Sequence, residues 1–103
     1  MAQYDIYLNP GSRKQEIPYL VSVQNDHITS RTGATVVIPL RANSVSVEIL
    51  APWVTVEGVG SLVLSTDELF AIEMGRLKNA VGQLLLEDRA KIRPAIDKVV
   101  GDY

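Results

Sequence analysis

Four β-branched residues in succession, Thr35-Val36-Val37-Ile38, are followed at once by Pro39, and this run limits the fold more than any other feature of the chain. Branching at Cβ restricts the rotamers open to a side chain in a helix and suits the pleated surface of a sheet. A near-continuous run of this kind predicts a strand buried on both faces and ended by Pro39.

Further strands are expected around it. Residues 3–8 alternate and place Tyr4, Ile6 and Leu8 on one face. Residues 9–16 carry Pro, Gly, Ser and charge without periodicity, which predicts an exposed loop. Residues 19–23 read as a second strand, with turns at Asn25-Asp26 and Arg31-Thr32-Gly33 on either side of the next connection. Residues 45–49 alternate and are compatible with a strand or an irregular loop. Residues 53–57 and 61–64 flank Gly58-Val59-Gly60, a hairpin signature. The first two thirds therefore predict a β-meander that curls into a small SH3-like barrel of about five to seven strands.

The pattern changes after Leu64. Ser65 to Glu68 has the composition of a helix start, with Ser65 as cap and Glu68 reaching back, and propensity makes residues 68–86 helical. Ile92, Ile96, Val99 and Val100 fall at helical spacing and predict a stripe packed on the barrel, with Pro94 either near the start of that helix or at a kink. The expected class is mainly β with a C-terminal helix. At 103 residues, one domain over the whole chain is the expectation.

Composition excludes several kinds of chemistry. There is no cysteine, hence no disulfide framework and no thiolate metal site. A net charge of −2 argues against a general nucleic-acid coat. No apolar run approaches the roughly 18–20 residues of a membrane span, and the N-terminus lacks a secretory pattern, so a cytoplasmic protein without membrane contact is expected. His27, the single histidine, stands beside Asp26 without a recognisable nucleophile. Asp67 with Glu68 and Glu87 with Asp88 are neighbours in sequence, where helix-start electrostatics explains them better than acid/base work. Trp53 and Phe70 sit in apolar runs and are expected in the core. With no metal-ligand spacing and no phosphate loop, the expectation is a protein that is no enzyme and uses no cofactor or metal. Arg13, Lys14, Arg31 and Arg41 are read as solubilising charge.

Specific residues narrow the reading. Val21, Val23, Gln24, Asp26, Ile28, Gly33, Val37, Ile38, Pro39 and Leu40 reproduce the N-terminal pattern of the CcdB-type toxins, which this chain resembles. Gln3-Tyr4-Asp5-Ile6-Tyr7 looks like that family's first strand. Thr66-Asp67 and residues 91–97, with Ile92, Ala95 and Ile96 in register, extend the resemblance. It implies an SH3-like barrel, a homodimer, and the toxin of a type II toxin–antitoxin pair. It further implies binding to the DNA-cleaving subunit of DNA gyrase that traps the enzyme on cleaved DNA, and neutralisation by a CcdA-like antitoxin. Operator DNA would be contacted only through the antitoxin complex. The resemblance also makes residues 72–77 a strand, against propensity, and the strand is preferred.

By the same resemblance, the antitoxin-facing residues are Asn9, Gly11, Ser12, Arg13, Arg41, Asn43 and Ser44. The target-facing tip is Gly101, Asp102 and Tyr103, standing where gyrase poisons of the family end in Trp-Gly-Ile, so another protein target is open as well. A MazF-like endoribonuclease using Arg31, Thr32 and Arg41, or a non-toxic relative that binds antitoxin and regulates the operon, are the alternatives.

Overall fold

The structure is a computed structural model and describes residues 2–101. Seven strands are formed: β1 (Asp5–Leu8), β2 (Tyr19–Ser22), β3 (Ala34–Arg41), β4 (Trp53–Val56), β5 (Gly60–Leu64), β6 (Phe70–Glu73) and β7 (Gly82–Gln83). They pair antiparallel in the order β4-β5-β3-β2-β1-β7, and β6 joins the other half of β3. Three helices complete the fold: α1 (Asp26–Thr32), α2 (Leu86–Arg89) and α3 (Ile92–Val100). The result is a nearly closed, barrel-like sheet with a helix at its C-terminal end, the class the sequence predicts.

β3 is central because both its faces are covered. One face meets Ile6, Val21, Leu62, Leu64, Leu84 and Ile92 through Ile38 and Leu40. The other meets Tyr7, Ile17, Leu20, Ile72 and Leu77 through Val37. The buried Thr35 hydroxyl is satisfied by Ser22 Oγ at 2.8 Å. Pro39 does not end the strand, which runs on to Arg41. The backbone of Pro39 faces the side where β3 exchanges β6 for β5, and its carbonyl there accepts from Ser65 N–H. Its missing donor therefore falls where β5 has just ended, and no ladder bond is lost.

Several local expectations are corrected. The two turns around residues 25–33 are the ends of a helix: Asn25 Oδ1 caps α1 by accepting from His27 N–H, and Gly33 at φ 75° closes it, its N–H bonding Thr29 C=O. Leu8 is exposed, whereas Tyr7 is buried in the second core. Residues 45–51 form a loop with a single bridge between Val47 and Ala51. The segment after Leu64 is no long helix. Thr66–Glu68 is one 3-10 turn in which Ser65 donates to the Glu68 carboxylate and caps no backbone N–H. The strand expected at residues 72–77 is present but earlier, as β6, followed by a second 3-10 turn at Met74–Arg76.

α3 starts at Ile92, so Pro94 is its third residue, where a backbone N–H has no acceptor inside the helix. Of the expected stripe, Ile92 is buried and Ile96 packs on the core, with Ala95 buried beside them, while Val99 and Val100 face solvent.

Edge strand β4 is shielded by the segment that precedes α3. Asp88 is buried and accepts from Thr55 N–H at 2.9 Å, while Lys91 Nζ reaches Trp53 C=O at 2.7 Å and Asp88 Oδ1 at 2.8 Å. Asp88 lies in the first turn of α2, as expected of a helix-start charge, and its carboxylate in addition covers outward-facing strand groups. Asp88→Ala leaves the part-buried Thr55 N–H without its acceptor and takes from Lys91 one of its two partners, and should lower unfolding free energy by about 1–2 kcal/mol. Urea denaturation checks this, with Asp88→Asn expected to recover part of the loss.

Candidate functional site

The long loop after β1 is held in shape by its own polar groups. Asn9 Nδ2 donates to Ile17 C=O at 2.8 Å and Asn9 Oδ1 accepts from Gly11 N–H at 2.9 Å, which folds the loop back over β2. Between this loop and the sheet lies a cavity of about 200 Å³, with Asn9, Gly11, Ser12 and Arg13 on one side and Ile17, Leu20, Pro39 and Phe70 on the other. The rim is polar and the floor apolar.

Glu16 ties that loop to the end of β3. Its carboxylate meets Arg13 at 2.6 Å and Arg41 at 3.7 Å, and its carbonyl accepts from Ala42 N–H at 2.9 Å. Arg41 also makes a two-pronged pair with Glu68, at 2.5 and 2.7 Å, and Ser65 Oγ donates to Glu68 at 2.6 Å. Arg13 and Arg41 are thus part of one ion-pair network, and neither is loose solubilising charge. Asn43, at φ 55°, and Ser44 follow directly as the chain leaves the sheet. Asn9, Gly11, Ser12, Arg13 and Arg41 are brought into one surface, with Asn43 and Ser44 in continuation.

Hydrogen bonds from Arg41, and after it from Ser65, hold the Glu68 carboxyl well below its usual 4.5, at about 2. A depressed carboxylate pKa stabilises the fold above the unfolded value and is lost as pH falls through the folded one. Stability should therefore decline as pH falls from about 4.5 to about 2, and Glu68→Gln should flatten that decline. Because the pair is partly open to water, the contribution is about 1 kcal/mol at neutral pH. Urea titrations of both proteins at several pH values measure the difference.

Other candidates are placed apart. Arg31 and Thr32 lie in α1, before β3, whereas Arg41 ends β3, so the strand separates them by roughly 20 Å. The Thr32 hydroxyl is used within its own turn, on Ile28 C=O. Arg31, Thr32 and Arg41 do not form a common site. His27 is exposed in the first turn of α1. Among the described residues no group of His, Asp and Glu is arranged to hold a metal ion, and no helix is long and apolar enough to cross a membrane.

Trp53 and Phe70, expected in the core, are 47% and 41% exposed. In β4 the even positions Val54 and Val56 point inward, which turns Trp53 outward. Phe70 shares a face with Ile72 but lies at the strand's end, where it lines the cavity. Sequence reasoning also missed Ile17, Glu16 and Glu68 as site residues. At the C-terminus, Gly101 closes α3 through its N–H on Asp97 C=O at 2.7 Å, and a Cβ there would sit 2.6 Å from that oxygen. Asp102 and Tyr103, the rest of the expected tip, lie outside the described residues.

The fold is thus a small barrel with a C-terminal helix, and it presents a loop-walled cavity beside an arginine-bearing face. A family model described as CcdB protein matches residues 3–101. The chain belongs to the CcdB protein family, the toxins of toxin–antitoxin systems. A search of curated proteins gives no match. In shape the chain is similar to an endoribonuclease in complex with its cognate antitoxin from a mycobacterial species, at TM-score 0.79 and 14% identity, covering 98% of this chain and 95% of that one. It is also similar to an endoribonuclease from a mycobacterial species, at TM-score 0.73 and 15% identity over 98% and 91% of the two chains. A third similar structure is a MazE-MazF crystal form from Deinococcus radiodurans, at TM-score 0.73 and 15% identity over 99% and 95%. These findings overturn the expectation that the chain is no enzyme, because its whole fold is one that endoribonucleases also have.

Proposed function

We propose that this chain is a toxin that binds the DNA-cleaving subunit of DNA gyrase through the end of α3 and traps gyrase on cleaved DNA. The observation that carries the reading is the outward-facing Val99 and Val100, the latter 68% exposed, at the end of a helix whose other apolar residues are packed. An apolar pair left on a helix end is suited to a protein target, where burial contributes about 25 cal/mol per Å². Gly101 closes that end tightly, since any side chain there meets Asp97 C=O. Family membership over residues 3–101 supports the same reading.

The antitoxin is proposed to dock on the face that carries Asn9, Gly11, Ser12, Arg13, Arg41, Asn43 and Ser44. A polar rim around an apolar cavity, next to two arginines, is chemistry suited to an acidic peptide with apolar anchors. The working unit is proposed to be a homodimer, with operator DNA contacted only through the antitoxin complex.

Calorimetric titration of the folded protein into the purified DNA-cleaving subunit of gyrase tests the target. Saturable binding is expected, and no heat at about micromolar concentrations of both proteins would count against it.

A further inference from the structure

The outer edge of β6 is open, and the structure shows how. In β3, Val36 C=O accepts from Val23 N–H of the β2 side, so Thr35 and Val37 carry the bonds to β6. Their partners Ile72 and Phe70 therefore face β3, and the backbone groups of Ala71 and Glu73 point away from it. The Glu73 carbonyl opens the 3-10 turn that follows, while no described residue bonds to the Ala71 N–H and C=O or to the Glu73 N–H. Edge strand β4, by contrast, is covered by Asp88 and Lys91, and β7 has only two residues. Natural sheets shield edges, and an unshielded one accepts another strand.

Two further observations say what kind of strand fits. Phe70 lines the 200 Å³ cavity at one end of this edge, so a strand laid along β6 would carry an alternate side chain to that cavity's mouth. The charge around it is uneven. Glu16 and Glu68 are neutralised by arginines, while Lys14, Arg76 and Lys78 form no ion pair among the described residues, against the exposed acids Asp67 and Glu73. Lys14 and Lys78 flank a smaller cavity that shares Asn9 with the first.

We propose that β6 is the docking edge for an extended, acidic segment of the antitoxin, which adds as an eighth strand and seats one apolar side chain in the cavity beside Phe70. This rests on the reading of the chain as an antitoxin-bound toxin and specifies the mode of binding. Backbone pairing gives affinity, the cavity gives register, and the lysines select for acid.

The probe is a short, dye-labelled peptide alternating Glu with Val and Leu, followed by fluorescence anisotropy at low salt. Saturable binding is expected. Methylating the backbone nitrogen at alternate residues, in the register that faces β6, should weaken it by about tenfold or more, and so should replacing Glu with Lys. Ala71→Pro removes only an outward N–H, so the variant should keep its melting temperature and lose the peptide by a similar factor. Should that variant not fold, the methylated peptides on the native protein still decide the matter.

Equal binding of methylated and unmethylated peptides, or no binding at about 1 mM peptide, overturns strand addition. A self-associated protein that Ala71→Pro dissociates would assign the edge to a second copy and also overturns it. Gyrase binding by the same preparation is scored separately, so failure there bears on the toxin reading and failure of the peptide on the docking mode.

Discussion

Ile38→Ala is expected to lower the unfolding free energy by about 2–5 kcal/mol. Ile38 is fully inaccessible on the central strand and packs in the larger core. Removing it costs the transfer of the lost carbons and leaves a cavity that the surrounding sheet cannot easily close, because β3 is bonded to β2, β5 and β6. Small domains have total stabilities of about 5–15 kcal/mol, so a large part of the fold's margin depends on this side chain. Val47, which is exposed in the loop before β4, provides the comparison: Val47→Ala should stay within about 0.5 kcal/mol. Urea denaturation followed by circular dichroism measures both, and a loss below about 1 kcal/mol for Ile38→Ala would contradict the two-faced packing of β3.

The second large effect belongs to the end of α3. Val100→Asp places a charge where the proposed target buries an apolar residue, and should weaken gyrase binding by about thirtyfold or more, a cost typical of a central interface residue. In the free protein Val100 is mostly exposed. The same substitution should therefore cost the fold only about 0.5 kcal/mol, through an acidic group at a helix C-terminus. Equal binding by Val100→Asp and the native chain would remove α3 from the interface.

Some of this was legible in the sequence. The β-branched run marked the central strand, because two covered faces leave no polar alternation to find. The glycines around Val59 marked the β4–β5 hairpin, where Gly58 and Gly60 have φ of 80° and 118°. Helical spacing marked α3, although it did not distinguish Ile92 and Ile96, which pack, from Val99 and Val100, which do not. That distinction depends on how far the barrel extends beneath the helix.

The remainder was hidden for physical reasons. α1 has no buried residue, so it offers no apolar stripe, and its capping residues read as isolated turns. Pro39 looks like a strand breaker until the sheet order shows that its missing donor falls at a change of partner. Asp88 serves a strand 33 positions away and Arg41 serves a carboxylate 27 positions away, pairings that local composition does not encode. The candidate site was partly visible, since the loop residues came from a family pattern. Its apolar floor was not, because Phe70 and Ile17 join it only once β6 is laid beside β3.

The central claim is a toxin that traps gyrase on DNA, and a cleavage assay tests it most directly. Supercoiled plasmid, gyrase and ATP are incubated with increasing amounts of folded protein, then treated with detergent and protease, with an RNA substrate carried through the same preparation. The account predicts linear DNA that rises with dose and falls with Val100→Asp. Plasmid left uncut at protein in excess over gyrase, with the RNA cleaved, would contradict it.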